Sequence, residues 1–211
     1  SSEIEKGLID KVKKVLEANG AVIVDVEFNI SSDYKAAKEF YVLLYEFNVG
    51  MKNYLKGRGL PYETLEDIVA FNEDNSDTVL KYFGQEIFLE SLKATDTERY
   101  LKEREDIGKL AKAQIDSVLE ENNLDVIIGL TRNPGWLTDL ENGDSRGDGG
   151  ISWANGGLSA VAGYPHITIP LDFVNNLPVG VSFLGTAWDE ANLINAAYSF
   201  EQENKFFPIP K

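Results

Sequence analysis

The chain has 211 residues, of which 35 are acidic, 20 are basic and none is cysteine, giving a formal net charge of −15. This charge argues against a nucleic-acid partner, because phosphate binding requires clustered lysine and arginine. The lack of cysteine excludes a disulfide framework, and no apolar run reaches the roughly 20 residues that a membrane span needs. With 43% apolar residues and a charged start unlike a signal peptide, the sequence predicts a globular, cytoplasmic protein without membrane contact.

The first part of the chain begins with a helix, a turn and a strand, and then becomes helical. Apolar residues at helical spacing predict a helix over residues 3–19 that ends at Gly20, and the β-branched run 21–28 predicts a strand. Residues 31–55 read as a capped, unusually aromatic helix. Thr64 then opens a short helix with acidic residues in its first turn, where the helix dipole favours them.

The remainder is predicted to hold three strands and further helices around one long loop. In chain order, the predicted elements are helices over 77–92 and 95–122, a buried strand over 124–130, strands within 162–170 and 177–185, and a helix over 189–204. The connection 131–157 is rich in Gly, Asn and Asp and is too long to be a passive connector. No internal repeat or linker divides the chain, so we predict a single domain over residues 3–211.

Several short motifs stand in a fixed order along the chain. They are YVLLYEF at 41–47, NYL at 53–55, LDVII at 124–128, NPGWLTD at 133–139, NGD at 142–144, AGYPHITIP at 162–170 and LPVGVSFLG at 177–185. A closing helix starts at Trp188. In this order the motifs resemble the C-terminal part of amidase-signature hydrolases, in particular the peptide-amidase-like branch, across nearly all of the chain from residue 3 on.

This resemblance implies an α/β fold, with a mixed sheet partly covered by helices that forms the C-terminal part of the amidase-signature fold. It also implies hydrolysis of a carboxamide C–N bond, such as a peptide amide, through an acyl-enzyme on serine. The serine nucleophile, a bridging serine in a cis peptide and the lysine base of that family lie in a signature half upstream of the matching region. We therefore expect no catalytic residue in this chain, a missing N-terminal amidase half as its partner, and no activity of the chain alone.

The long loop carries the residues that we place nearest the amide substrate. They are Trp136, Asp139, Asn142, Trp153 and Asn155. The choice rests partly on the resemblance and partly on chemistry, because aromatic and amide side chains on a loop after a buried strand suit such a pocket. The alternative is that both tryptophans only bury the loop against the core. Asn48 stands where the resembling helix motif would carry a basic residue, so the pocket need not match the family in detail.

Other candidate sites in the sequence are weaker. His166 is the only histidine, and its place just inside a strand favours a structural residue over a member of a Ser-His-Asp triad. The acidic residues of 139–148 suggest a calcium loop, but Gly143 stands where an oxygen ligand belongs and the closing glutamate is missing. The glycine- and serine-containing run 143–152 lacks the paired serines of a nucleophile loop. We predict no metal and no cofactor.

Alternative functions stay open at this point. The chain could be a stand-alone, non-catalytic binding or scaffold protein derived from an amidase, or one half of a split enzyme. Residues 156–160 disfavour a component of a glutamine amidotransferase. Tyr34, Tyr41, Leu44 and Tyr45, at helical spacing, predict an apolar helix face that packs against the missing half, so we expect the chain alone to self-associate through it.

Overall fold

The computed structural model describes residues 3–26, 33–34, 39–141 and 156–207. Its elements, in chain order, are α1 (Glu3–Ala18), α2 (Glu39–Leu55), α3 (Leu65–Asp74), α4 (Ser76–Val79), α5 (Glu86–Lys93), α6 (Thr97–Glu121), β1 (Ile127–Leu130), α7 (Gly157–Ala162), β2 (His166–Val174), β3 (Leu177–Leu184) and α8 (Glu190–Asn204). The α/β class predicted from the sequence is confirmed. Among the described helices, none combines the length and the apolar character that crossing a membrane requires.

The chain separates into two compact units. The sheet unit comprises Ser1–Tyr34, Gly108–Leu137 and Arg146–Lys211, and the helical unit comprises Lys35–Ile107 and Thr138–Ser145. Each unit has its own packing. The single domain over residues 3–211 stays a prediction.

The sheet unit is built on three strands in the order β1-β3-β2, and both described pairings are antiparallel. Ser182 of the central strand lies opposite Gly129 on one side and Thr168 on the other. A two-residue turn joins β2 to β3, with Asn175 and Asn176 at φ 50° and 64°. Both residues therefore adopt the left-handed conformation of a type I′ turn, which matches the strand twist and which asparagine tolerates well.

One face of the sheet forms the main core of this unit. Apolar residues alternate along the strands, so that Ile169, Leu171, Val181 and Phe183 are buried on the same side. They pack against buried residues of α1 and α8, namely Leu8, Val12, Leu16, Leu193, Ala197 and Phe200. The other face is apolar only at one end, where Ile127 and Leu184 pack with Ala111, Ile115 and Leu119 of α6 and with Ala162 of α7.

Side-chain hydrogen bonds attach α1 and the end of α8 to the irregular part of β2. The pairing with β3 shifts register between Pro170 and Asp172. There the Lys11 ammonium donates to the Asp172 carboxylate at 2.8 Å and to the Leu171 carbonyl at 3.1 Å. The amide of Asn204 donates to the Pro170 and Leu171 carbonyls at 3.2 and 3.1 Å. The backbone groups left over by the bulge thus find partners on side chains, as buried carbonyls require.

The helical unit confirms the predicted start of α3. The Thr64 hydroxyl accepts from the Asp67 backbone N–H, and the Asp67 carboxylate accepts from the Thr64 N–H in return, which forms a capping box. The Asp67 carboxylate also accepts from the Glu63 backbone N–H at 2.8 Å, and this bond, together with those from Thr64, holds the pKa of Asp67 below its usual value. The sequence therefore specified this helix start locally, through two side chains three positions apart.

Tyr41 and Tyr45 of α2 pack against the first part of α6. The Tyr45 ring stacks on Tyr100 with centroids 4.1 Å apart, and the Arg99 guanidinium lies 3.6 Å above the Tyr41 ring. Tyr41 and Tyr45 therefore do not form the exposed apolar face that the sequence predicted. The exposed apolar side chains of α2 are others, among them Phe40 and Leu43.

Two predicted elements differ from the structure. Residues 21–26 form no strand, and 27–28 lie outside the described residues. Ile23 packs on the sheet-unit core while Val22 is 88% exposed, so the alternation is strand-like, but no described strand pairs with it. The predicted helix over 77–92 is interrupted between α4 and α5.

Candidate functional site

Two of the five predicted substrate residues fall within the described part of the chain. Trp136 is half-buried and belongs to the sheet unit, and Asp139 is half-buried and belongs to the helical unit. The Asp139 carboxylate accepts from the backbone N–H of Glu141 at 2.9 Å. Asn142, Trp153 and Asn155 lie outside the described residues, as do Asp144, Asp148 and the whole run 143–152. The set therefore stays a prediction.

The loop that carries Trp136 leaves the sheet next to a group of hydroxyls that sequence reasoning missed. We call Thr131, Thr168 and Ser182 the hydroxyl cluster. The Ser182 hydroxyl is fully buried and lies 2.8 Å from the Thr131 hydroxyl and 3.2 Å from the Thr168 hydroxyl. The Thr131 backbone N–H donates to the Gly180 carbonyl at 2.9 Å, which extends the pairing of β1 with β3 to the first residue of the loop.

Small residues make room for this cluster on the second face of the sheet. A Cβ at Gly180 would lie 2.8 Å from Cγ2 of Thr168 and 3.0 Å from Oγ1 of Thr131, so no larger residue fits between the two threonines. Gly180 and Ser182 face away from the main core, because Val181 and Phe183 alternate with them and are buried in it. A small residue at every second position of an apolar strand was the signal that could have revealed this face.

His166 lies at the start of β2, beside the end of the long loop. It pairs with Leu184 across the sheet, and a Cβ at Gly156 would stand 3.6 Å from Cε1 and Nε2 of its ring. Gly156 has φ 140°, a backbone conformation that favours glycine, whereas the imidazole itself would leave room for a Cβ. The packed histidine predicted from the sequence agrees with this position.

A second polar group links three separate segments of the sheet unit. The Tyr164 hydroxyl donates to one oxygen of Asp116 at 2.7 Å, and the Thr186 hydroxyl donates to the other at 2.8 Å. Burial, together with the hydrogen bond to Asp116, raises the pKa of the Tyr164 phenol. We call these three residues the Asp116 bridge. It ties the turn before β2 and the loop after β3 to helix α6.

These groups offer binding and positioning rather than proton transfer. Threonine hydroxyls do not accept a proton from serine at neutral pH, so Ser182 is not activated as a nucleophile by its two partners. Within the described ranges, no group of three histidine, cysteine, aspartate or glutamate side chains lies close enough together to hold a metal ion. The hydroxyl cluster and the Asp116 bridge therefore do not form a reactive centre by themselves.

Comparison with known proteins identifies the class to which this fold and these motifs belong. The Amidase family matches residues 3–194, so the chain belongs to the amidase family. Among curated proteins, one named "Probable amidase" from Arabidopsis thaliana is 28% identical over an alignment of 213 positions, gaps included, which covers 97% of this chain and 37% of that protein. One component of the glutamyl-tRNA(Gln) amidotransferase of Lysinibacillus sphaericus is 30% identical over an alignment of 203 positions, gaps included, which covers 92% of this chain and 40% of that protein.

Solved structures of amidases share the fold as well as the sequence. The peptide amidase of Stenotrophomonas maltophilia matches with a TM-score of 0.84 and 32% identity, over 98% of this chain and 41% of that one. An amidase family protein of Bacillus anthracis matches with a TM-score of 0.77 and 28% identity, over all of this chain and 38% of that one. The chain thus spans about two fifths of the length of the relatives it matches.

Proposed function

We propose that this chain acts as the C-terminal part of an amidase that hydrolyses carboxamide C–N bonds, with peptide amides as its substrates. The observation that carries the proposal is the family match over residues 3–194 together with a TM-score of 0.84 to an enzyme named peptide amidase. A second structure of peptide amidase, in complex with the competitive inhibitor chymostatin, matches with a TM-score of 0.85 and 34% identity. A peptide-like substrate is consistent with that inhibitor.

Four of the six described serines make hydrogen bonds that support a division of labour within such an enzyme. The hydroxyls of Ser91, Ser117 and Ser199 donate to carbonyls of their own helices, and that of Ser182 bonds to threonines. A serine nucleophile needs instead a base that takes its proton and donors for the tetrahedral oxyanion. We therefore propose that the nucleophile, the bridging serine and the lysine base belong to a segment outside this chain.

In this proposal the chain contributes the substrate side of the pocket. Trp136, Asp139, Asn142, Trp153 and Asn155 would hold the peptide amide by stacking and hydrogen bonds. The hydroxyl cluster would fix the origin of the loop that carries them, because the Thr131 side chain and backbone are both bonded to β3. A serine of the other segment would then attack the carboxamide carbon, release ammonia or an amine, and be freed by water.

A chimaera tests the proposal. Residues 3–194 of this chain would replace the matching part of the Stenotrophomonas maltophilia peptide amidase, and ammonia release from a peptide amide would be measured. We expect turnover by the chimaera and none by this chain alone. A folded chimaera without turnover would contradict the proposed activity. Turnover by the isolated chain that survives repurification would contradict the proposed division of labour.

A further inference from the structure

Trp188 combines two unfavourable features at one residue. Its side chain is 91% exposed, and its backbone has φ 65°. A bulky residue rarely adopts this left-handed conformation, which favours glycine. An exposed indole ring also lacks the burial that usually stabilises a tryptophan side chain. Strained residues of this kind cluster at functional sites, where the surrounding structure holds them in the strained conformation.

The loop around Trp188 is tied down on both sides. The Gly185 N–H donates to the Pro165 carbonyl at 3.4 Å, and the Thr186 hydroxyl donates to Asp116. On the other side the Asp189 carboxylate accepts from Asn192 at 2.6 Å and fills the space beside Gly185, where a Cβ would lie 2.8 Å from its oxygen. The Asp116 bridge and the start of α8 therefore fix the strained backbone, and the indole projects from a rigid support.

We propose that Trp188 is the anchor by which this chain binds the remaining polypeptide of its amidase, an inference that rests on the proposed function. Large aromatic side chains on a rigid support are typical anchors of interfaces, because they bury much area at little cost in entropy. The peptide amidase structure aligns over 98% of this chain with a TM-score of 0.84, yet this alignment takes up only 41% of that enzyme. A net charge of −15 disfavours a second copy or an anionic membrane as the occupant.

The accessibility of the indole tests this directly. The three tryptophans would be replaced by 5-fluorotryptophan, and the fluorine resonance of Trp188 would be assigned by its absence from the Trp188→Phe variant. We expect a soluble paramagnet to broaden this resonance strongly in the chain alone and several-fold less in the chimaera with the peptide amidase. Equal broadening in an active chimaera would overturn the anchor while leaving the proposed function intact.

Stability measurements supply a second test that works on the chain alone. Trp188→Gly should raise its thermal midpoint, because glycine relieves the positive φ and no buried contact is lost. The matched control Ala187→Gly adds a glycine to the same loop without relieving a positive φ, and should lower the midpoint. In the chimaera, Trp188→Gly should lower the midpoint and Trp188→Phe should largely preserve it. A Trp188→Gly change that destabilises the chain alone would make Trp188 a structural residue and overturn the proposal.

Discussion

Tyr164 shows what a single side chain of this protein stabilises. Its hydroxyl bonds to the charged Asp116, and such bonds contribute more than bonds between neutral groups. We expect Tyr164→Phe to lower the free energy of unfolding by about 1 kcal/mol, measured by chemical denaturation at neutral pH. Tyr198→Phe, at an exposed position of α8, is the matched control and should change it by a few tenths at most. An equal effect of the two changes would mean that the Asp116 bridge contributes nothing.

The same residue gives this contribution a pH dependence. The pKa of the Tyr164 phenol is raised in the folded state by burial and by its bond to Asp116. A raised pKa means that the protonated phenol stabilises the fold fully below the unfolded value of about 10, and that this stabilisation is lost as the pH rises through the folded pKa. The difference in unfolding free energy between the wild type and Tyr164→Phe should therefore narrow above about pH 10. A constant difference up to higher pH would contradict this assignment.

The hairpin of β2 and β3 is the element whose local sequence dictates its geometry most directly. Asn176 has φ 64°, where glycine is unstrained and alanine is not. Asn176→Gly should raise the free energy of unfolding by about 0.5 kcal/mol, and Asn176→Ala should lower it by about 1 kcal/mol. Both variants remove the same side-chain amide, so the difference between their free energies of unfolding reports the effect of the backbone conformation. Equal stabilities in thermal denaturation would show that the turn is not rigidly held.

Prediction from sequence succeeded where the local structure depends on neighbouring residues, and failed where it depends on contacts between residues far apart in the sequence. The helix start at Thr64 and the two strands that flank Asn175 were predicted, because the residues that set them lie within a few positions. The run 21–26 has strand-like residues, but a strand also needs a neighbour, and its own composition does not supply one. In the Asp116 bridge, Tyr164 and Thr186 lie 48 and 70 positions from Asp116, so no local sequence pattern predicts it. The predicted substrate residues depend in the same way on how a long loop folds back.

At the scale of the whole molecule, the net negative charge opposes the self-association that an apolar stripe on the helical unit favours. Phe40, Leu43, Phe47 and Tyr54 lie on one side of α2 by helical spacing, and all four are exposed. Such a stripe favours association with another apolar surface. The net charge of −15 makes copies of the chain repel one another, and salt screens this repulsion, with a Debye length of about 10 Å at 0.1 M and about 3 Å at 1 M.

We therefore predict self-association that grows with salt and depends on the stripe. Sedimentation of the chain at about 1 M salt should reveal oligomers that dissociate at about 0.01 M salt, where the Debye length is about 30 Å. Leu43→Lys should abolish them, since it places a charge in the stripe at a side chain that is 54% exposed. Val49→Lys is the matched control, because Val49 is 45% exposed on the opposite side of the same helix and the added charge is identical. Loss of association in both variants would assign the effect to net charge, and a wild type that stays monomeric at high salt would remove the stripe as an interaction surface.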